Sequence, residues 1–216
     1  MQLVVFDLDG TITWHDTLLP YVVGFLGREP WSLPRLIGVT PGLAAYLVRR
    51  IDRGGLKAAL LRHTLRGRTR AEIEAWNARY IPRLIARGVR AQALAAIESH
   101  RRAGDHLVLM SASVDLYVPE IGARLGFAES ICTGVRWINE RLDGELVTRN
   151  RRGEEKARCF RELKARFPGL RSVAYGNAAS DLAHLALADE PRLVNGSRAT
   201  RRAAARAGIA PYAQWR

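Results

Sequence analysis

Lysine is scarce in this chain: only Lys57, Lys156 and Lys164 occur, so 31 of its 34 cationic side chains are arginine. Cysteine is scarcer still. Cys132 and Cys159 cannot build a disulfide framework, which excludes stapled secreted scaffolds and makes a reducing cytosol the expected compartment. Long hydrophobic runs are missing too. The longest uncharged stretches, 17–27 and 36–48, fall short of the roughly 18–20 residues that span a bilayer, so no membrane-crossing helix is expected. The first apolar run, Leu3 to Phe6, stops at Asp7, and no secretory leader is expected from it. Zinc-like spacing, an RNA-binding sheet motif and aromatic–basic alternation are all absent. Nucleic acid is therefore not an expected partner, despite a net charge of +13. The arginines are scattered, with no basic tail.

What is present suits an ordinary globular protein. With 216 residues, 48% of them hydrophobic and 25% charged, the chain can bury a full core as one large domain or a domain with an inserted lobe. Leu3 to Leu8 reads as a buried strand bounded by Asp9-Gly10. From Thr17 to about Arg87 the pattern turns helical. Its clearest helix runs from Arg70 to Arg87, with Ile73, Trp76, Tyr80, Leu84 and Ile85 on one face. A helix over Ala91–Arg102 ends at Ala103-Gly104. Strands at 106–111, 172–175 and 192–195 then alternate with helices near 117–125, 154–166, 179–188 and 199–207, and 131–149 reads as extended segments turning at Asp143-Gly144. This alternation predicts an α/β fold with a doubly wound parallel sheet, and makes 14–89 a helical insertion after the first strand.

In an open α/β sheet, ligands bind at the edge where the strands end, and four strand ends here carry polar residues. Asp7-Leu-Asp9-Gly10-Thr11 puts two carboxylates two residues apart. One can attack phosphorus while the other handles the proton on the leaving oxygen; the simpler alternative is a turn capping the strand. Ser111 ends an apolar strand and can donate to a phosphoryl oxygen, whereas Ser113 reads as a plain N-cap. Gly153-Glu-Glu-Lys156 enters a helix with a cation able to neutralise a phosphoryl group. Gly176-Asn177-Ala-Ala-Ser-Asp181 supplies oxygen ligands suited to a hard cation such as Mg2+. The remaining histidines and both cysteines read as surface or packing residues; Arg151-Arg152, just before Gly153, could reach a phosphate, and a solvated turn is the simpler reading.

That ordered set resembles the haloacid dehalogenase superfamily of phosphohydrolases, over essentially the whole chain. Asp7-x-Asp9-Gly-Thr matches the first family motif, Ser111 the second, Lys156 the third and Gly176-Asn-x-x-x-Asp181 the fourth. The insertion is similar to the cap of the phosphoserine-phosphatase-like branch. The resemblance implies a Rossmann-like core formed by 1–13 and 90–216, with 14–89 as an α-helical cap. It implies Asp7 as nucleophile in a Mg2+-dependent phosphatase forming an aspartyl phosphate, and Asp9 as general acid and base. Gly10, Ser111 and Lys156 would hold phosphoryl oxygens. Asp7, the main-chain carbonyl of Asp9, Asn177 and Asp181 would hold the cation. Asn177 departs from the family's usual Asp, so one negative charge is lost there. Transfer of the phosphoryl group to an acceptor alcohol, and a catalytically weakened or non-enzymatic basic binding protein, are the alternatives.

Asp16 stands nine positions after Asp7, where the branch carries a cap Glu that meets a substrate ammonium; otherwise it caps the helix beginning at Thr17. The stretches 17–27 and 36–48 are the most apolar in the chain. Trp14, Tyr21, Phe25, Trp31 and Tyr46 accompany them, and Arg28, Arg35, Arg49, Arg50 and Arg53 flank them. Such flanks suit an interface-lying hairpin in peripheral contact with an anionic membrane; the simpler reading is a helical lobe packed on itself. The substrate is thus read as a small phosphorylated metabolite or a lipid phosphate.

Overall fold

The computed structural model describes residues 1–210 and 212–215. Six strands form one parallel sheet in the order β3-β2-β1-β6-β7-β8. They are β1 (Leu3–Phe6), β2 (His106–Val114), β3 (Glu129–Thr133), β6 (Ser172–Gly176), β7 (Glu190–Val194) and β8 (Tyr212–Ala213). β4 (Val135–Ile138) and β5 (Arg141–Leu146) form a separate antiparallel hairpin.

β1 is central because Leu-Val-Val-Phe is apolar on both faces, and all four residues are fully buried. Val4 and Phe6 join one core with Leu107, Leu109, Val173 and Tyr175. Leu3 and Val5 join the other with Val108, Met110 and Ala174. This is the two-residue alternation of a strand buried on both sides. The second core is closed by α7 (Glu154–Arg166), the single-turn α8 (Leu182–Leu185) and α9 (Arg198–Arg206). The first is closed by α5 (Ala91–Arg102) and α6 (Val118–Arg124), and continues without a break into helices placed between β1 and α5.

Those helices are α1 (Leu18–Leu26), α2 (Thr40–Leu47), α3 (Arg53–Thr64) and α4 (Arg70–Gly88), with a tight helical segment over Pro30–Val39. α4 begins in a reciprocal cap: Thr69 Oγ1 accepts from Glu72 N–H and Glu72 accepts from Thr69 N–H. Tyr21 of α1 stacks on Tyr117 and donates to Asn77 of α4, whose amide donates to the Leu116 carbonyl. The first apolar stretch, 17–27, is thereby largely committed to the core, with Tyr21, Val22, Phe25 and Leu26 buried. The second is not: Ile37, Leu43, Leu47 and Val48 face outward, as does Trp31 before them.

Two local expectations are corrected. The hairpin turns at Asn139-Glu140, both at positive φ (46° and 58°), not at Asp143-Gly144. Gly144 lies inside β5, at φ +95°, because α3 crosses there: a Cβ would meet the Arg62 Cα at 2.5 Å. The helix expected over 179–188 shrinks to a tight turn at Ala179–Asp181 and the single turn of α8.

Candidate active site

Register brings three of the four polar segments together, and the first turn of α7 adds the fourth, Lys156. Phe6 pairs with Leu109 on one side and Tyr175 on the other, so Asp7, Ser111 and Asn177 emerge at one sheet edge. There they meet a cavity of about 540 Å3, lined by Asp7, Asp9, Asp16, Ser113, Lys156, Asn177 and Asp181 among others.

Asp7 is the buried centre. Lys156 Nζ donates to Asp7 Oδ1 at 2.6 Å and to Asp181 Oδ1 at 2.9 Å, while Thr11 Oγ1 donates to Asp7 Oδ2 at 2.9 Å. Asp181 Oδ2 accepts from the N–H groups of Asn177 (3.1 Å) and Ala178 (2.9 Å). Burial pushes the Asp7 carboxyl up, Asp181 pushes it further, and Lys156 opposes both. At Asp181 burial also pushes upward, but Lys156 and the backbone donors hold that carboxyl down. Lys156 stays charged despite burial because both carboxylates face it.

Asp9 has its own cradle. Oδ1 accepts from Thr17 N–H (2.8 Å) and Thr17 Oγ1 (2.7 Å); Oδ2 accepts from Ser113 Oγ (2.7 Å) and, weakly, Ser111 Oγ (3.4 Å). Burial, then Asp16, pushes Asp9 up, and these donors work against the rise. Thr17 is itself fixed by Tyr117, 2.9 Å between hydroxyls. Gly10, at φ +80°, is where the loop turns; a Cβ would sit 2.2 Å from Asn177 Nδ2.

The floor holds three carboxylates, Asp7, Asp9 and Asp181, against one buried ammonium. That imbalance, with the hard oxygens of Asn177 and Thr11 within 3.3 Å of each other, fits a small divalent cation. No cluster of three or more His, Cys, Asp or Glu side chains with metal-holding geometry occurs among the described residues, so carbonyl and amide oxygens would have to complete the shell.

Ser111 is fully buried beneath the cavity, where its Oγ accepts from Ser113 N–H at 3.0 Å. Asp16 lines the cavity and also accepts from Leu18 N–H at 3.0 Å, so the site and helix-start readings both describe its position. Two other expectations change. Ser113 is no N-cap: it lies within β2 and holds Asp9. Arg151 and Arg152 are not a solvated turn but part of the cavity wall. Lys57 of α3 was not singled out, yet it reaches the cavity, donating to the Ala112 carbonyl and to Asn150 Oδ1 at 2.7 Å. Its one signal in the sequence is rarity, as one of three lysines. His184 is a packing residue, buried against Phe160, and burial pushes it down to about 3, so it is neutral.

Comparison with known proteins bears on the fold and the family. The chain is 36% identical to the protein CicA of Caulobacter vibrioides, over 87% of this chain and 83% of that one. A Bordetella pertussis structure of unknown function superposes with a TM-score of 0.77 at 22% identity, covering 96% of both chains. A probable phosphoserine phosphatase from Vibrio cholerae does so with a TM-score of 0.71 at 12% identity, over 97% of this chain and 60% of that one. These structures share the fold. The family model of haloacid dehalogenase-like hydrolases matches residues 4–186, and the chain belongs to that family.

Proposed function

We propose that this protein is a phosphatase that hydrolyses a phosphate monoester through an aspartyl phosphate on Asp7. The observation that carries the reading is the buried Asp7 carboxylate, fixed by Lys156 and Thr11 at the cavity floor with Asp9 two residues on. An Asp7 oxygen forms the bond to phosphorus as the ester P–O bond breaks, and Asp9 gives its proton to the departing alcohol. In the second step Asp9 takes a proton from water, whose oxygen forms the new bond to phosphorus while the Asp7–phosphorus bond breaks, releasing inorganic phosphate. The upward push on Asp9 suits a group that must carry a proton at the start. Lys156 faces the phosphoryl oxygens from a site where water is excluded. Ser111, buried below Asp9, steadies the strand end, and Gly10 leaves room for the phosphoryl group beside Asn177.

Mg2+ suits the oxygen donors of Asp7, the Asp9 carbonyl, Asn177 and Asp181, and would supply neutralisation of charge gathering on the phosphoryl group. We further propose that 14–89 acts as a cap on a core of 1–13 and 90–216. The chain leaves and re-enters the core side by side, with Thr13 bridged to Val89 and Trp14 N–H donating to the Gly88 carbonyl at 3.0 Å. Both thiols are free, which suits a reducing cytoplasm. A small phosphorylated metabolite fits the cavity; a lipid phosphate is favoured by the outward-facing apolar residues of 31–48.

The test is phosphate release in magnesium buffer from a panel spanning amino-acid, sugar, nucleotide and detergent-dispersed lipid phosphates. Wild-type turnover should vanish with chelator and in Asp7→Asn. Turnover that survives Asp7→Asn would sink the aspartyl-phosphate route, and product bearing the phosphoryl group on added alcohol would redirect it to transfer.

A further inference from the structure

The wall above Asp7 carries charge opposite to that of the floor. Arg53 begins α3, Lys57 stands one turn later, and Arg152 lies in the loop before α7; all three line the cavity. Both acceptors of Lys57 are neutral, the Ala112 carbonyl and the Asn150 amide oxygen. Among the described residues, the guanidinium groups of Arg53 and Arg152 have no hydrogen-bond or ion-pair partner, whereas neighbouring Arg151 is tied to Glu155 and to Cys159 Sγ. Burial pushes Arg152 down and Arg53 pushes it further, while Asp181 and Asp7 on the floor oppose both. Burial likewise brings Lys57 down to about 8, with Arg152 adding to the fall and Asp9 and Asp16 opposing it.

Lys57 and Arg152 are partly desolvated cations that repel each other, exposed Arg53 adds to the repulsion on Arg152, and a bound anion offsets that cost. The transferred phosphoryl group already has Lys156 at the floor. We propose that Arg53, Lys57 and Arg152 form a second anion subsite, and that the ester attacked by Asp7 carries a further anionic group on its alcohol. The inference rests on the phosphatase reading above. Val39, Leu43, Leu56 and Leu60 complete the wall, so the remainder of that alcohol is apolar.

Non-hydrolysable probes separate the two readings. Calorimetric titration in magnesium buffer compares methylphosphonate, with one anionic head, against straight-chain alkane bisphosphonates of two to five carbons. At least one bisphosphonate should bind wild type about tenfold or more tighter than methylphosphonate. Arg152→Gln and Arg53→Gln should each remove most of that advantage while leaving methylphosphonate within about twofold. No preference in the wild type, or equal weakening of both probes in the variants, overturns the subsite. Because neither probe is turned over, a protein that shows the preference but releases no phosphate from any ester would refute the phosphatase reading alone.

Discussion

Asn177 shows how much one atom changes at this floor. Its side chain lies against Gly10 and beside Thr11, where an aspartate would add a further carboxylate to the floor. Asn177→Asp should therefore lower the magnesium concentration for half-maximal phosphate release by about tenfold, roughly 1.4 kcal/mol. It should also make thermal stability depend on the cation, with a lower Tm in chelator and a higher one in magnesium than wild type. An unchanged half-saturation would remove position 177 from the cation's surroundings. Lys57 gives a pH prediction. Held near 8, against about 10.4 for an ordinary lysine, it is charged below pH 8 and neutral above. Between those values the unfolded chain binds the extra proton, so this residue's contribution to stability rises with pH, while its hold on an anion falls. Of the groups acting on it, Arg152 lowers it further, Asp9 and Asp16 oppose the fall, and Cys132, pushed by burial to about 12, stays neutral over this range. The bisphosphonate advantage should shrink in wild type from about pH 7 to about pH 9 and persist in Lys57→Arg, whose guanidinium does not titrate there. The phosphonate's own titration is common to both proteins and cancels in the comparison. Asp7, Asp9, Lys156 and Asp181 were legible because each follows an apolar strand or opens a helix at fixed order. Thr17, Ser113 and Lys57 were not, since hydroxyls and a lone lysine acquire meaning only once α1, α3 and β2 face the same cavity.

Among the elements, α4, α5 and α7 follow directly from their periodicity and boundary residues, because each buries one stripe and ends on local signals. β8 did not, as two residues carry no pattern and pair only with an existing edge, at Leu193 and Val194. The hairpin turn failed for a sharper reason. Asp-Gly is the stronger local turn signal, but tertiary packing assigns Gly144 to the crossing of α3 over β5 and leaves the turn to Asn139-Glu140. Gly144→Ala should expose this. A side chain at φ +95° costs about 1–2 kcal/mol, and the contact with Arg62 backbone adds about 1–3 kcal/mol of overpacking. A total of about 2–4 kcal/mol should appear in urea denaturation. Gly104→Ala is the control: it keeps the positive φ (+71°) with nothing near its Cβ, so the strain remains and the overpacking does not. Equal losses in both would show that α3 does not depend on the gap at 144. Since α3 carries Arg53 and Lys57, a displaced helix should also weaken the second anion subsite.

At the scale of the molecule, charge and apolar exposure coincide. Nine of the thirteen large hydrophobic side chains that stand exposed among the described residues lie between Trp14 and Val48. Scattered exposure would need no explanation; this concentration beside a cavity mouth does. Trp31, Ile37 and Leu47 are 79%, 73% and 71% exposed, and Arg28, Arg35, Arg49 and Arg50 border them in sequence. No helix among the described residues is long and apolar enough to cross a bilayer, so a lipid surface would be met from one side. Leu43 is both exposed and part of the cavity wall, which makes the apolar face continuous with the route to Asp7. Each basic residue near an anionic surface contributes about 1 kcal/mol, and salt removes it. The protein should therefore sediment with phosphatidylglycerol-containing vesicles at low salt, release from them as salt rises, and bind phosphatidylcholine vesicles at least about tenfold more weakly. Trp31→Glu with Ile37→Glu should abolish sedimentation while leaving turnover of a water-soluble ester unchanged, because neither residue lines the cavity. Equal binding to both vesicle types, or none to either, would return the apolar face to a protein contact and leave the cavity to soluble esters.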